Sequence, residues 1–188
     1  MPKCAHCKQP YTRTHNGIET WCSVDCGYKL ARAKQAKAYK AETRAMKKAL
    51  TDTDRAHWIK KSQIAFNAYI RARDAGLPCI SCGVINPAFT VGGMWDAGHF
   101  KSRGAYPELR FTEDNCHRQC KKCNGGSGNF SSKAKTVGEQ YEIELVKRIG
   151  IERVEALNAP HPPAKWTIPE LKAIEAEYKR KLRELRIP

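Results

Sequence analysis

The sequence predicts an α+β protein that is mostly helical and carries two zinc sites of four cysteines each. Three observations predict this class. Eight of the nine cysteines occur in four close pairs, which is typical of structural zinc sites. Long segments rich in Ala, Lys and Arg contain no Pro and favour helices. The middle of the chain holds short glycine-containing segments, which favour a hairpin or loops.

The two cysteine quartets are the first elements to justify. The first comprises Cys4, Cys7, Cys22 and Cys26, and the second comprises Cys79, Cys82, Cys120 and Cys123. Four thiolates satisfy tetrahedral Zn²⁺, whereas disulfides, the alternative, are disfavoured in a reducing compartment. His6 and His15 are alternative ligands for the first site. Cys116 is left over, and we interpret it as a small buried thiol rather than a reactive one.

We divide the chain into four parts. Residues 1–26 form an N-terminal zinc finger, 27–75 long basic and amphipathic helices, 76–135 a module with the second zinc site, and 136–188 C-terminal helices. Residues 27–50 predict one helix with a basic stripe, formed by Lys37, Lys40, Arg44 and Lys47. The stripe is either a contact for a DNA backbone or a solvated face.

Further helices follow from apolar spacing and capping signals. Residues 53–75 place Trp58, Phe66 and Ile70 on neighbouring edges of a helix, as a core face or a partner surface would require. We expect a short helix over residues 119–124 and longer ones over 137–150 and 167–186. The last begins with a capping box, Thr167 with Glu170.

The charge of the chain predicts a polyanionic partner. Lys and Arg number 34 against 19 Asp and Glu, which makes the formal net charge +15. The excess is concentrated in residues 1–50, with 11 basic and 3 acidic side chains, and in 101–135, with 8 and 3. Such a field attracts nucleic acid, although a solvated basic surface is the alternative. Without a long apolar run or a secretory signal, we expect a cytoplasmic protein with no membrane partner.

The residues suited to catalysis lie between the cysteine pairs of the second quartet. Cys-x2-Cys is followed by WDAGHF at 95–100 and then by Asn115-x4-Cys-x2-Cys-Asn124. This order resembles the HNH nucleases with a ββα-metal active site, in which a strand bearing the catalytic His and an asparagine motif lead into a helix. The resemblance implies a zinc-stabilised, HNH-like nuclease module and a metal-dependent DNA endonuclease.

Phosphodiester hydrolysis explains these residue types. It needs a base that activates water and a hard cation that stabilises charge on the phosphate. The imidazole of His99 suits the first role. Mg²⁺ or Mn²⁺ suits the second and prefers oxygen ligands. The resemblance implies that Asn124 is the amide ligand of this cation and that Asn115 acts within the protein, by orienting the hairpin that carries His99.

The carboxylate ligand is less obvious, because Gly98 stands where many HNH nucleases place Asp before the catalytic His. Residues two apart share one face of a strand, so Asp96 is the candidate ligand; a missing ligand is the alternative. His117 is a second candidate for the site, with a role beside the scissile phosphate and plain packing equally open. The basic residues Lys101, Arg103, Arg118, Lys121 and Lys122 are candidate phosphate contacts, or ordinary surface charges.

A narrower resemblance covers most of the chain. LPCISCG at 77–83, WDAGHF, LRFTEDNCHRQCKKCN at 109–124, GN at 128–129 and KWTIPELKAIEAEYKRKL at 165–182 look like the NinG family of lambdoid phages, also called Rap. The resemblance implies a phage-encoded recombination endonuclease in the bacterial cytoplasm that cuts branched double-stranded DNA, including Holliday junctions and D-loops. Paired cuts across a symmetric junction favour a homodimer.

Two other functions fit parts of the sequence. A non-catalytic zinc-dependent DNA-binding protein would explain the charge and both quartets, but it would give His99 and Asn124 no purpose. An HNH nuclease with a different DNA substrate would retain the chemistry and change only the specificity.

Overall fold

The computed structural model describes residues 1–13, 17–89, 91–126 and 131–186, which form two compact units, Met1–Thr53 and Asp54–Pro188. The protein is mostly helical with a small two-stranded sheet, which confirms the α+β class. His15, the alternative zinc ligand, and the GN pair at 128–129 lie outside the described residues. The predicted four-part division of the chain stays a prediction.

The first unit combines a cysteine-rich turn with one long helix. The turn after Cys4 is closed by Lys8, whose amide donates to the Cys4 carbonyl at 2.9 Å and whose φ is +66°. Helix α1, Val24–Asp52, begins at the N-cap Ser23, whose hydroxyl accepts from the Cys26 amide. Cys26 in its first turn is the buried residue of this helix. The other residues of α1 are exposed or half-buried, as the many Ala and Lys residues of this helix predict.

The main core of the second unit lies between α2, Arg55–Arg73, and α6, Ile168–Glu184. Asp54 caps α2 through a bond from the Ala56 amide, and Thr167 with Glu170 forms the predicted capping box of α6. Between the two helices, Phe66 and Leu171 are fully buried. The apolar stripe of α2, including Trp58 and Ile70, is thus core rather than a partner surface.

The sheet is one antiparallel hairpin followed by a short helix. Strand β1, Trp95–His99, pairs with β2, Cys116–Cys120, so that Trp95 faces Cys120 and His99 faces Cys116. Helix α3, Lys121–Gly126, follows directly. The helix predicted from Gln119 therefore begins later than expected, because pairing with β1 keeps Gln119 and Cys120 in the strand.

Two helices pack beside the hairpin and form a second core. Helix α4 spans Ser131–Ile149, starting earlier than predicted, and α5 spans Ile151–Asn158, which the sequence did not predict. Their buried side chains meet Ile80 and Leu109 around Leu145. Gly150 separates the two helices with φ +85°, a conformation that favours glycine. Within the described ranges no helix is long and apolar enough to span a membrane.

Candidate functional site

Both predicted quartets converge in the structure. The four sulfur atoms of each cluster lie within 4.8 Å of one another. Zn–S bonds of about 2.3 Å in a tetrahedron place sulfurs about 3.8 Å apart. The Sγ atoms of Cys7 and Cys22 are 3.5 Å apart, and those of Cys82 and Cys120 are 3.8 Å apart. The donor sets therefore fit two zinc ions, one in each unit.

The second cluster lies where β2 ends and α3 begins. Cys120 is the last residue of β2, Cys123 lies in α3, and Cys79 belongs to the turn alongside, where the Ile80 amide donates to the Arg118 carbonyl at 3.2 Å. Cys79 also accepts a bond from the Cys120 amide. Burial raises the pKa of the Cys79 thiol, but backbone donors outweigh it and lower the pKa overall, which favours a thiolate ligand.

A polar cavity of about 700 Å³ opens beside β1. Its lining includes three of the residues predicted for catalysis, together with basic and amide side chains. The lining residues are Asn67, Asp96, Ala97, His99, Ser102, Arg103, Gly104, Arg110 and Asn124. Asp96, His99 and Asn124 thus line one cavity together with Asn67 of α2, which the sequence did not predict there.

His99 is held in a defined orientation at this cavity. Its Nε2 lies 3.0 Å from the Arg110 carbonyl oxygen, which can only accept, so Nε2 carries the hydrogen. Nδ1 then carries the lone pair and lies 3.6 Å from the Cys116 sulfur. Burial, together with the charges of Arg103 and Arg110, lowers the pKa of His99 to about 4. The imidazole is therefore neutral at neutral pH, as a proton acceptor must be.

Asn115 anchors the segment that orients His99. Its side chain is fully buried, and its Oδ1 accepts from the Lys101 amide at 2.7 Å. Its Nδ2 donates to the carbonyls of Lys101 and Leu109, both at 3.0 Å. Leu109 directly precedes Arg110, whose carbonyl holds the imidazole. Asn115 thus acts within the protein, and its contacts give the sequence-based interpretation a specific geometry.

Asp96 and Asn124 lie next to each other at the cavity. Asn124 Nδ2 is 2.9 Å from Asp96 Oδ2, and Lys121 Nζ is 2.6 Å from Asp96 Oδ1. The ammonium group of Lys121 therefore occupies a position from which a metal ion could bind the Asp96 carboxylate. Rotating the Asn124 amide by half a turn exchanges its nitrogen and oxygen, so the pair can present two oxygen ligands of the kind that Mg²⁺ or Mn²⁺ prefers. The residues fit a hard divalent cation.

His117 lies elsewhere. It is buried in β2 with its ring 6.3 Å from the Tyr141 ring, and its Nδ1 has no hydrogen-bond partner. Burial lowers its pKa to about 4. Because His117 does not line the polar cavity among the described residues, its contacts support the packing alternative rather than a catalytic one. Cys116 is fully buried, and burial raises the pKa of its thiol, as an unreactive thiol predicts.

Some of the side chains predicted to contact phosphate are exposed or line the cavity, and others contact groups of the protein itself. On α1 the stripe of Lys37, Lys40, Arg44 and Lys47 is exposed, so contact with DNA and simple solvation both stay open. Arg103 lines the cavity, and Lys122 is exposed.

Three of the predicted contacts are engaged within the protein. Lys121 is paired with Asp96. Lys101 Nζ lies 4.8 Å from the centre of the Phe100 ring. Arg118 is directed at the end of α2, where it donates to the carbonyls of Asp74 and Ala75, and its guanidinium lies 3.7 Å from the Trp95 ring centre. The Arg118 guanidinium is thus engaged within the protein, and its contact with phosphate stays a prediction.

Arg110 and Asn67 are two polar residues of the cavity that the sequence did not predict as part of a site. Arg110 supplies the carbonyl that orients His99, and its guanidinium donates to Gln63 Oε1 at 3.2 Å. Asn67 reaches the cavity from α2. Neither lies in a recognisable motif. Only the position of Asn67 on the exposed side of α2, at helical spacing, could have indicated it. No sequence pattern indicates that a backbone carbonyl such as that of Arg110 orients a histidine.

A family model described as "Bacteriophage Lambda NinG protein" matches residues 1–187. The chain belongs to the NinG family. It is similar to protein ninG of Escherichia phage lambda, with 42% identity over 183 residues, covering 88% of this chain and 83% of that protein. Protein ninG of Salmonella phage P22 is 41% identical over 183 residues, covering 88% and 84%. Protein ninG of Escherichia phage 933W is 38% identical over 201 aligned residues, covering 98% and 93%.

Membership of the NinG family confirms the narrower resemblance seen in the sequence. The family model includes both cysteine quartets and α6, so the match covers both units of the chain. No solved structure is significantly similar to the chain.

Proposed function

We propose that the protein is a metal-dependent DNA endonuclease of the HNH, ββα-metal type. The observation that carries this proposal is the convergence of His99, Asp96 and Asn124 on one polar cavity beside the hairpin. A cysteine cluster stabilises the joint between β2 and α3, and Arg103 and Arg110 add positive charge to the same cavity. These are the parts that phosphodiester hydrolysis needs: a base, ligands for a hard cation and an anion-binding surface.

His99 is the proposed general base. Its Nε2–H is donated to the Arg110 carbonyl, and its Nδ1 lone pair faces the Cys116 thiol at 3.6 Å. Nδ1 becomes the proton acceptor when a water molecule replaces that thiol contact. The Cys116 thiol near Nδ1 stays protonated, because burial raises its pKa. A phosphate in the cavity would raise the pKa of His99 towards its ordinary value, since it would offset the charges of Arg103 and Arg110.

Asp96 and Asn124 are the proposed ligands of Mg²⁺ or Mn²⁺. When bound, the cation supplies stabilisation of the charge that develops on the phosphate and the leaving oxygen. Lys121 offsets the Asp96 charge at 2.6 Å in the absence of a cation. Asn115 positions the base through Leu109 and Arg110, and we propose that it does not touch the substrate.

The proposed substrate is branched double-stranded DNA, including Holliday junctions and D-loops. Its support is the NinG family membership, together with a charge distribution in which the finger with α1 and the hairpin module each carry a positive excess. Separate basic elements can measure the angle between DNA arms through backbone contacts without reading bases. Paired cuts at a symmetric junction favour a homodimer acting in the host cytoplasm.

The decisive experiment compares cleavage of a labelled four-way junction in Mg²⁺ by the parent chain and by His99→Ala. We expect the substitution to lower the rate by about 100-fold or more, since general-base catalysis contributes on that order. His57→Ala is the matched control, because His57 is half-buried on α2 and does not line the cavity. Equal cleavage by His99→Ala and the parent would refute the assigned base.

The alternatives predict different results. A non-catalytic zinc-dependent DNA-binding protein would bind the junction and leave it intact under every cation condition. An HNH nuclease with another substrate would cut linear duplex at least as fast as the junction at one salt concentration, or would cut at a fixed base sequence.

A further inference from the structure

A second groove continues from the polar cavity along the exposed side of α2. It has a volume of about 460 Å³, and its lining residues are Ala56, Ile59, Lys60, Gln63, Ile64, Asn67, Arg103 and Arg110. Asn67, Arg103 and Arg110 line both the cavity and this groove, so the two form one continuous surface. We call it the α2 groove.

The spacing of the residues on α2 shows how the groove is built. Ala56, Ile59, Lys60, Gln63, Ile64 and Asn67 recur at steps of one, three and four, which places them on one face of the helix. At 1.5 Å per residue, the stretch from Ala56 to Asn67 is roughly 16 Å long. That length spans about five nucleotides at the ~3.4 Å rise of a strand in B-DNA, and fewer where the strand is unstacked and extended.

The groove is positively charged and contains no acidic side chain in its described lining. Lys60 is exposed, and neither Arg103 nor Arg110 forms an ion pair among the described residues. Burial and the nearby charges of Arg103 and Arg55 lower the pKa of Arg110, which shows that the guanidinium groups are crowded without a balancing anion. An anionic chain would relieve this repulsion.

Ile64 adds an apolar contact to this basic groove. Its side chain is 60% exposed, although α2 buries Phe66 fully two residues later. Ile59 is partly buried against the main core and extends the apolar surface beside Ile64. Apolar side chains next to phosphate-binding groups are used by DNA-bending proteins to contact unstacked bases. A paired duplex offers its phosphates but keeps its base faces stacked, so it would leave Ile64 without a contact.

We propose that the α2 groove binds an unpaired stretch of the DNA strand that continues from the polar cavity, with a base against Ile64 and phosphates against Lys60 and Arg103. This proposal rests on the proposed nuclease function and adds to it a basis for preferring branched DNA. Base stacking is interrupted where strands exchange partners at a branch point, and a D-loop adds an unpaired strand. A site that requires an unstacked base next to the scissile phosphate selects such points. The α2 groove thus contributes specificity for branched DNA, whereas the polar cavity contributes the residues for phosphodiester hydrolysis.

A protein occupant fits the groove less well. The other candidate is a second copy of this chain, but the chain is strongly basic and the groove is basic too, so self-association there would bring like charges together. Charge complementarity therefore favours a polyanion.

The test measures equilibrium binding by fluorescence anisotropy in buffer without added divalent cation. The probes are a labelled duplex with a short unpaired arm and a fully paired duplex of equal length. We expect Ile64→Ala to weaken binding of the armed duplex roughly fivefold and Ile64→Glu more than tenfold, with less than twofold change for the paired duplex. Ile143→Ala is the matched control, because Ile143 is 57% exposed on α4 and lies outside the groove.

The outcomes separate this proposal from the nuclease assignment. Selective loss of armed-duplex binding supports the groove even if no variant or parent cuts DNA. Unchanged binding by both Ile64 variants, or equal loss for the two probes, overturns it even if the parent cleaves junctions. Sedimentation of the same proteins tests the other occupant: conversion of a dimer to a monomer by Ile64→Glu, with the probe preference unchanged, would make the groove a subunit contact and overturn the proposal.

Discussion

A Cβ atom at position 98 would lie 2.1 Å from Oε1 of Gln119, so the side chain of Gln119 occupies the space that any residue other than glycine would need. Gln119 cannot easily move aside. It is buried in β2, and its Nε2 donates to the Ser81 hydroxyl at 2.8 Å, within the turn of the second cysteine cluster. Position 98 therefore has no room for an Asp side chain beside Gln119, and Asp96 is the carboxylate among the described residues that line the cavity.

This relationship predicts that any side chain at position 98 destabilises the protein. We expect Gly98→Ala to lower the free energy of unfolding by about 1–3 kcal/mol, as overpacking of a buried site does, and Gly98→Asp to lower it further. Urea denaturation followed by tryptophan fluorescence measures the change. Gly76→Ala is the control, because nothing lies within 4 Å of a Cβ there. In combination with Gln119→Ala, Gly98→Ala should cost less than the two single changes added together; strict additivity would contradict the steric explanation.

The buried hydrogen bonds of Asn115 predict a large contribution of this side chain to stability. Asn115→Ala removes three hydrogen bonds and takes this partner from the half-buried amide and carbonyl of Lys101, whereas the Leu109 carbonyl keeps its bond from the Thr112 amide. We expect a loss of about 3 kcal/mol or more in the free energy of unfolding. Asn115→Asp keeps the acceptor but sets a buried carboxylate oxygen against the carbonyls of Lys101 and Leu109, so it should destabilise the protein at least as much as the Ala variant. The exposed Asn86 provides the control, since Asn86→Ala should change stability by less than about 0.5 kcal/mol.

The buried histidines predict a specific pH dependence of stability. The pKa of His117 is about 4, whereas the unfolded chain has a histidine pKa of about 6.5. Between these values the unfolded chain binds a proton that the folded chain excludes, so stability falls as the pH is lowered from about 6.5 towards 4. His117→Gln should make the urea midpoint less dependent on pH over this range. Parallel curves for variant and parent would show that other groups cause the acid sensitivity.

The cysteine clusters predict two zinc ions per chain, which native mass spectrometry can count. Cys120→Ser should remove one ion, because Cys120 belongs to the second cluster and has its sulfur 3.8 Å from that of Cys82. Cys116→Ser should keep both ions, although Cys116 is equally buried and stands in the same strand. Loss of an ion from Cys116→Ser, or retention of both by Cys120→Ser, would show that the clusters are not the ligand sets.

Local signals predicted much of the structure. The spacing within cysteine pairs, the capping box of Thr167 and Glu170, and the alanine-rich composition of α1 act over a few residues, so each can be recognised without knowing what packs against it. The extent of β2 was misjudged, because the residues before Lys121 also suit a helix and only pairing with β1 keeps them extended. Helix α5 was missed because it is short and is stabilised mainly by burying Val154 and Leu157.

The sequence by itself determined which chemical groups this protein has: eight paired cysteine thiols, the imidazole of His99 followed by the amides of Asn115 and Asn124, a large positive charge and membership of one phage family. Tertiary structure alone decided which groups act together. It brought Asp96 to Asn124, set the Arg110 carbonyl against His99, turned His117 towards Tyr141 and exposed Ile64 beside the cavity. The physical reason is that these contacts join distant segments through burial and packing, which no short-range pattern encodes.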